Sequence, residues 1–447
     1  IAFIALTGLL TFGFLGTVFF SSTLVVAAVL VILGVFFTFN RPTWTLFAFA
    51  AYLPFEPFLL KFVPDDVYVY ARYGSELLVY LLLAVVFWRM ATGSIKFHRT
   101  PIDIAFVLVV LLALSSAVIN TMNPVFALLG LRQIFRFVLL FFITTYLSPS
   151  KILVKNLIIT MLAIVAFQGI LGYSQRLIGE PLDTFLLPSA SRTLGNIELT
   201  SGTVQNWDPG ERVFGTMGRY DQLGIFIAFF LILLVAWLYE VGVGRSGDYS
   251  LERSLRLSDR QSTALSERSS NAQFAQVVIH DRSSGNPRSL NSLAPWILLF
   301  FSLPVLGLSY SRSAWFGFVL AFLFIAIYIK RDKRVILVTA IAPFLVAAYL
   351  SITGLVVNQL IDSRGNSFSD RIFEAFSYTR WVGEYYGLGR VYWIVQTVIK
   401  VVPSAPVFGH GPGTYGGGAV AALGNTEVYD NLGIPFGVYG TEGYIDN

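Results

Sequence analysis

The chain of 447 residues is 55% hydrophobic and 13% charged, with a mean hydropathy of +0.69, whereas soluble domains carry about 25% charged residues. It has no cysteine and three histidines, which excludes disulfides and thiolate sites and argues against a His-rich metal centre. The basic residues behind the net charge of +5 do not form a stripe with interleaved aromatic residues, which argues against a nucleic-acid partner. The composition instead indicates a polytopic membrane protein whose cytoplasmic loops meet anionic lipid.

Apolar runs close to the roughly 20 residues that cross a bilayer recur along the chain. They predict an all-α polytopic membrane protein with about 11 transmembrane helices. Two of these lie within residues 1–39, because Ser21 and Ser22 break that long run into a hairpin. The other predicted spans are 45–60, 76–89, 102–119, 125–147, 152–173, 222–239, 293–308, 313–329 and 335–356.

The spans divide the chain into six regions. The region 240–292 carries seven arginines, six acidic residues and many serines, which is typical of a flexible cytoplasmic loop near anionic lipid. The regions are an N-terminal bundle of seven spans (1–173), a polar loop (174–221), the eighth span (222–239), the Ser/Arg-rich cytoplasmic loop (240–292), spans nine to eleven (293–356) and a long outer loop containing short helices (357–447).

Basic residues predict the orientation. The tenth span is followed by a run with four basic residues, Lys330–Arg334, and short loops rich in Lys and Arg mark the cytoplasmic side. Alternating sides from there puts the N-terminus inside and the loops 174–221, 309–312 and 357–447 outside. We therefore expect a multi-pass protein of the cytoplasmic (inner) membrane. Because the chain begins within an apolar run without Met, we also expect a fragment, with a twelfth span beyond Asn447.

The predicted outer loops share a set of basic side chains, nearly all of them arginines. Arginine offers a planar fork of donors that suits phosphate, and it keeps its charge. These residues could hold a lipid pyrophosphate, or they could lie at the headgroup level as charges near span ends usually do. Arg212 and Arg312 are the strongest candidates for a site. The full set is Arg176, Arg192, Arg212, Arg219, Arg312, Arg364, Arg371, Arg380, Arg390 and Lys400.

Three stretches resemble one family. ERVFGTMGRYDQLGIFIAFF (Glu211–Phe230) resembles the Arg-x-x-Gly-Thr element of the O-antigen ligase and Wzy-type polymerase superfamily. LSYSRSAWFGF (Leu308–Phe318) resembles its Ser-Arg-Gly-Ala-Trp element, with Ser313 where Gly is more usual. GRVYWIVQTVIKVVPSAPVFGHGPGTYGGG (Gly389–Gly418) resembles its outer-loop pattern of Arg and Trp before a Gly-rich turn. The order of the three stretches matches the family, whereas the first seven spans match only in hydropathy.

The resemblance implies a glycosyltransferase that takes glycan from a polyprenyl-pyrophosphate-linked oligosaccharide at the outer membrane face, using no cofactor and no metal. Arg212 and Arg312 would hold the pyrophosphate, and a base would deprotonate the acceptor hydroxyl. The expected partners are this donor, a glycan or lipid-linked acceptor, membrane lipid and other polysaccharide-export proteins. The implied catalytic residues are Arg212, Arg312, Asp446 and His410, and the implied substrate-binding residues are Arg219, Arg390, Tyr310 and Trp315.

Several alternatives stay open from the residues alone. The base is either Asp446, which favours a polymerase of repeat units over a ligase to lipid A core or protein, or His410, which could equally be a turn residue in a Gly-rich loop. Arg132 and Arg136 either extend an anionic-lipid track inwards or mark where the sixth span really begins. A lipid or anion transporter is the alternative of another class, although the chain shows no internal repeat of the kind transporters carry.

Overall fold

The computed structural model describes residues 22–188, 193–194, 197–198, 212–239, 290–342, 344, 386, 390–416, 420 and 425–435. Its contacts divide the chain into two compact units. Unit 1 comprises Ile1–Ala50, Val63–Val154 and Asn366–Asn447, and unit 2 comprises Ala51–Phe62 and Lys155–Gly365. The two units interleave in sequence, and the six consecutive regions described above stay a prediction.

The described residues are predominantly helical, which confirms the all-α class. The helices are α1 (Ser22–Asn40), α2 (Pro42–Tyr52), α3 (Glu56–Leu60), α4 (Asp65–Arg72), α5 (Gly74–Ala91), α6 (Asp103–Ile119), α7 (Pro124–Leu147), α8 (Lys151–Ile178), α9 (Glu180–Leu186), α10 (Tyr220–Tyr239), α11 (Leu290–Leu308), α12 (Arg312–Leu323), α13 (333–342), α14 (Arg390–Gln396) and α15 (Glu427–Asn431).

Several shorter pieces complete the description. A 3₁₀ turn, Leu53–Phe55, joins α2 to α3, and α12 continues as the π-helix Phe324–Ile329. Beyond α14 the chain forms the π-helix Thr397–Val401 and the short helix Val402–Ser404. A two-residue antiparallel ribbon pairs Thr193–Leu194 with Ile197–Glu198, with Thr193 opposite Glu198 and Leu194 opposite Ile197.

Within the described residues, five helices are long and apolar enough to cross a membrane: Gly74–Ala91, Pro124–Leu147, Lys151–Ile178, Tyr220–Tyr239 and Arg312–Ile329. Shorter apolar helices occupy Leu24–Asn40, Asp103–Ile119, Ala294–Leu308 and Val391–Ser404. These helices indicate a membrane protein, and the total of about 11 spans stays a prediction. Residues 1–21 and 345–356, on which parts of the first and last predicted spans fall, lie outside the described residues.

The predicted third span is not one helix. Proline lacks a backbone N–H and clashes with the preceding turn, and two prolines, Pro54 and Pro57, fall in this stretch. The α-helix therefore ends at Tyr52, turns as a 3₁₀ helix that contains Pro54, and restarts at Glu56 with Pro57 in its first turn. Proline is well tolerated at that position because the N–H groups of the first turn have no partner within the helix.

Helix α6 has a largely exposed apolar surface. Its large side chains are exposed along its length, with Ile104, Leu108 and Val118 among the most exposed. An apolar helix surface of this extent is stable against lipid and unfavourable against water. The exposure therefore agrees with a bilayer as the surrounding solvent.

Unit 2 packs α8, α10, α11 and α12 around a common apolar core. Two glycines of α8 allow the close approach of α11, as small residues do between membrane helices. A Cβ on Gly169 would lie 2.6 Å from the Phe301 ring, and one on Gly172 would lie 2.8 Å from Val305 Cγ1. The Tyr173 hydroxyl donates a 2.8 Å hydrogen bond to the Phe301 carbonyl, so the contact between the two helices is both steric and polar.

In unit 1, α5 and α7 share an apolar cluster. The Gly-rich loop, residues 409–416, packs on the N-terminal part of α7. A Cβ on Gly130 of α7 would lie 2.4 Å from the Gly413 nitrogen. Asn120 Nδ2, just before α7, donates to the Gly409 carbonyl at 3.0 Å. A steric fit and a hydrogen bond thus join this loop to α7 and to the turn before it.

Candidate functional site

The segment 212–219, which carries Arg212 and Arg219, is fixed to α8 by a buried glutamine. Gln175 Oε1 accepts hydrogen bonds from the backbone nitrogens of Phe214 at 3.1 Å and Gly215 at 2.8 Å. On its other side, Gln175 Nε2 donates to Asp183 Oδ1 of α9 at 2.7 Å. Gln175 and Asp183 are each 1% exposed. One amide thus joins the segment to two helices and satisfies buried backbone groups that would be costly to leave unpaired.

A second glutamine of α8 fixes the next residue. Gln168 Oε1 accepts from the Thr216 nitrogen at 3.1 Å, and Gln168 Nε2 donates to Thr216 Oγ1. The Thr216 hydroxyl in turn donates to the Pro54 carbonyl at 2.8 Å. Pro54 lies in the 3₁₀ turn, so the break in the predicted third span provides the acceptor for this threonine.

Gly215 is required by this arrangement. Its φ of +57° lies in the left-handed region, and a Cβ there would come 2.1 Å from Gln168 Oε1. A side chain would therefore be strained by the backbone and would also collide with the acceptor that holds Thr216.

The second predicted element, which carries Arg312, meets the first within unit 2. The Val213 nitrogen donates to the Leu308 carbonyl at 3.3 Å. In the second turn of α10, a Cβ on Gly224 would lie 2.8 Å from the Ser311 Cβ and 2.9 Å from Ser309 Oγ. Since Ser311 directly precedes α12, the N-terminal turns of α10 and α12 abut at Gly224.

Three arginines accompany these two helix starts, and each is half-buried. The Arg212 guanidinium lies 4.4 Å from the centre of the Tyr220 ring, the first residue of α10. Arg219 binds the Asp221 carboxylate with two contacts, Nε–Oδ1 at 3.1 Å and Nη2–Oδ2 at 3.0 Å. Arg312 is the first residue of α12. Because a helix N-terminus carries partial positive charge, arginines at this position reinforce a field that attracts anions.

Tyr310 and Trp315, predicted to bind substrate, flank the start of α12. The Trp315 indole N–H donates to the Leu306 carbonyl at 2.6 Å, so this donor serves the turn between α11 and α12. Tyr310 has a φ of +51°, which is unusual for a residue with a side chain. Its ring lies 6.3 Å from the Trp315 ring, centre to centre. The contact of either ring with substrate stays a prediction.

The remaining predicted site residues belong to unit 1. His410 is half-buried in the Gly-rich loop, and its Nε2 lies 2.7 Å from Ser404 Oγ. Arg390 is the first residue of α14. Asp446 lies outside the described residues.

Two tyrosines, Tyr415 and Tyr429, pack against each other at the end of the Gly-rich loop. Tyr429 is fully buried, its ring centre lies 5.2 Å from that of Tyr415, and its hydroxyl accepts a 2.9 Å hydrogen bond from the Gly416 nitrogen. Burial raises the pKa of Tyr429 from 10.0 to about 12. Burial also raises the pKa of Tyr415, so both phenols stay neutral over the physiological range.

Sequence reasoning missed the four residues that position the arginine segment: Gln168, Gln175, Asp183 and Thr216. One signal was present, because Gln168 and Gln175 are seven residues apart within an apolar span and therefore share a helix face. Two amides on one face of a membrane helix need polar partners, since an unsatisfied amide is costly in an apolar environment.

No family model, curated protein or solved structure matches the chain. The arrangement of Arg212, Arg219 and Arg312 at two helix N-termini is therefore what supports a function.

Proposed function

We propose that the protein polymerises lipid-linked oligosaccharide units at the outer face of the cytoplasmic membrane. In this proposal it transfers glycan from a polyprenyl pyrophosphate to a sugar hydroxyl. The observation that supports it is the meeting of the α10 and α12 N-termini at Gly224, with Arg212, Arg219 and Arg312 beside them.

A pyrophosphate leaving group suits this arrangement. It gains negative charge as the glycosidic bond breaks, and donors already in place stabilise that charge without reorganisation. Both carboxylate oxygens of Asp221 accept hydrogen bonds from Arg219. We therefore assign Arg219 a role in positioning the substrate. Arg212 and Arg312 would supply the positive charge that neutralises the departing diphosphate, together with the backbone N–H groups that open the two helices.

The proposed reaction is a single displacement. The acceptor hydroxyl oxygen bonds to the anomeric carbon, while the bond from that carbon to the diphosphate oxygen breaks and its electron pair leaves with the diphosphate. The hydroxyl proton passes to a base. His410 and Asp446 are the two candidates that the sequence predicts for this base.

Purified protein incubated with a polyprenyl-pyrophosphate oligosaccharide tests this proposal. Lipid-linked chains of increasing length are the expected product. Transfer to lipid A core or protein instead of the growing chain would replace the polymerase by a ligase. Absence of any covalent product with every acceptor would refute the glycosyltransferase, and movement of the lipid across vesicle membranes would then support the transporter alternative.

Single substitutions test the role of the arginines. Arg212→Ala and Arg312→Ala are each expected to lower the rate about a hundredfold to a thousandfold, by analogy with removing one oxyanion donor. Lysine at either position should restore only part of the rate, because the fork geometry is lost. Arg334→Ala, an exposed arginine beyond the other end of α12, is the matched control and should keep full activity. Wild-type rates in either test variant would remove that residue from the site.

A further inference from the structure

Two further arginines, Arg132 and Arg136, lie on α7 in unit 1. Arg132 Nε lies 3.1 Å from Glu76 Oε1, with side chains that are 33% and 10% exposed respectively. The Tyr80 hydroxyl donates to the same carboxylate oxygen at 2.8 Å, and the Arg132 guanidinium lies 5.5 Å from the centre of the Tyr73 ring. The carboxylate is therefore held from two sides.

This ion pair sets the level of Arg132 along the membrane. Glu76 lies in the first turn of α5. The apolar cluster of unit 1 contains residues C-terminal to Glu76 in α5 (within Val79–Val86) and C-terminal to Arg132 in α7 (within Leu139–Leu147). The two helices thus run parallel. From Glu76 to Ala91 and from Arg132 to Leu147 they run the same length, roughly 23 Å at 1.5 Å per residue.

The N-terminal part of α7 extends beyond this level. The helix begins at Pro124, roughly 12 Å before Arg132, and there Gly130 contacts the Gly-rich loop. The ion pair therefore places Arg132 level with the first turn of α5, at one end of the apolar helix Gly74–Ala91. Arg136 lies one turn further along α7, roughly 6 Å beyond Arg132.

Positive charge is in excess in the described cluster around Glu76. The cluster of Glu76, Tyr73, Tyr80, Arg132 and Arg136 contains one carboxylate for two guanidinium groups. Among the residues that the structure describes, neither Arg132 Nε nor Arg136 Nε has a hydrogen-bond partner, although both atoms are buried. The 3.1 Å contact of Arg132 with Glu76 is thus an ion pair without hydrogen-bond alignment. An excess cation at the membrane edge is costly unless an anion accompanies it.

We propose that Arg132 and Arg136 bind the phosphate group of a membrane lipid. A guanidinium one turn inside the apolar region can extend its head back to the headgroup level, where phosphate oxygens accept its N–H groups. Glu76 neutralises one charge and orients Arg132, so the site carries a net single positive charge. This inference concerns residues outside the arginine site of unit 2 and does not depend on the proposed activity.

Lipid retention by the purified full chain tests the proposal. Native mass spectrometry after extraction from nanodiscs would compare phosphatidylglycerol, polyprenyl phosphate and uncharged diacylglycerol, and inorganic pyrophosphate would be added as the soluble competitor. We expect retention of phosphate-bearing lipid, with the two lipid arms showing which source is preferred. Retention of diacylglycerol at the same level, or binding of pyrophosphate without any phosphate-bearing lipid, would overturn the site.

Substitutions assign the binding to these residues. Arg136→Gln should weaken lipid retention roughly tenfold, as expected for one lost charge-assisted contact. Glu76→Gln, which keeps the shape of the side chain and removes its charge, should strengthen retention. Arg89→Gln is the control, because Arg89 lies near the other end of α5 and donates to the Phe39 carbonyl.

Two opposite expected shifts keep the test decisive if one variant folds poorly. A soluble, monodisperse Arg136→Gln or Glu76→Gln protein whose retention equals that of the wild type and of Arg89→Gln would refute the assignment.

Discussion

Two glycine-containing segments of this protein contact membrane-length helices through different kinds of interaction. In unit 2, the segment 212–219 is held to α8 by hydrogen bonds that its backbone N–H groups donate to two buried glutamines. In unit 1, the loop 409–416 packs on α7 mainly because Gly130 has no side chain to keep it away, and Asn120 adds one hydrogen bond to the Gly409 carbonyl.

The difference concerns what each attachment determines. Hydrogen bonds are directional, so the glutamines fix both the position and the orientation of the backbone that carries Arg212 and Arg219. In the loop 409–416, the steric contact at Gly130 fixes only the distance of approach, and the hydrogen bond from Asn120 orients Gly409 alone. The segment with the proposed phosphate-binding arginines is oriented at three consecutive residues, Phe214, Gly215 and Thr216, and preorganised charge stabilisation requires such orientation.

The largest effect is expected from Gln175→Leu. The substitution removes the glutamine oxygen that accepts from the buried N–H groups of Phe214 and Gly215, and it removes a donor to Asp183. At about 1–3 kcal/mol for each unsatisfied group, the loss of stability should reach about 3 kcal/mol or more, and the activity should fall with it. Thermal unfolding in detergent measures the first, with Gln222→Leu, an exposed glutamine of α10, as the control. Equal melting of the two variants would show that the amide does not hold the segment.

Gly130→Ala should have the next largest effect. The added Cβ would lie 2.4 Å from both the Gly413 nitrogen and the Pro412 carbonyl carbon, which are backbone atoms that cannot rotate away. Overpacking of this kind costs about 1–3 kcal/mol. Gly34→Ala in α1 is the matched control, because a Cβ there meets no atom within 4 Å and alanine favours the helix. A lower melting temperature is expected only for Gly130→Ala, and unchanged stability would mean that the loop does not depend on this contact.

Thr216→Val tests the second glutamine and should cost about 1–2 kcal/mol. Valine keeps the shape of threonine but removes the donor to the Pro54 carbonyl and the acceptor of Gln168 Nε2. A double-mutant cycle with Gln168→Leu measures the coupling. The combined loss should be smaller than the sum of the two single losses, because each variant already breaks the shared hydrogen bond. Strict additivity would show that the two side chains act independently.

The smallest effect at neutral pH is expected from Tyr429→Phe, whose clearest consequence is a change in pH dependence. Burial holds the pKa of Tyr429 at about 12 against 10.0 for a free phenol. Below pH 10 both the folded and the unfolded chain keep the proton, so the stabilisation is fully present there. As the pH rises from 10 to about 12, the unfolded chain releases its proton first and the free energy of unfolding falls.

Tyr415 titrates in the same direction, because its pKa is also raised by burial. The difference between wild type and Tyr429→Phe therefore isolates Tyr429. Unfolding followed from neutral to alkaline pH should show a shallower decline for the variant, and tyrosinate absorbance reports the ionisation. Parallel curves for the two proteins would contradict the raised pKa.

The sequence predicted the helices better than the contacts between them. The predicted spans 222–239 and 313–329 lie within two residues of Tyr220–Tyr239 and Arg312–Ile329, because charged residues bound both apolar runs. The predicted span 45–60 is interrupted because proline geometry acts within a single turn, which hydropathy averaged over a window does not register.

The contacts of the sites were less accessible to sequence reasoning. The pairing of Glu76 with Arg132 joins residues on helices separated by another span, and nothing in their local sequences specifies it. The role of Gly130 depends on a loop far along the chain. The meeting of the two arginine-bearing segments was predicted through the family resemblance, whereas the glutamines that hold one of them act through hydrogen bonds that only coordinates show.

Gln175 has a further consequence for the chain between Asp183 and Phe214, since the same amide binds both ends of that stretch. The ends stay in register whatever lies between them, and lengthening a closed stretch adds only about 0.6 kcal/mol for each doubling. Insertions within residues 189–211 should therefore leave Phe214 bound to Gln175, and with it the position of Arg212 two residues earlier.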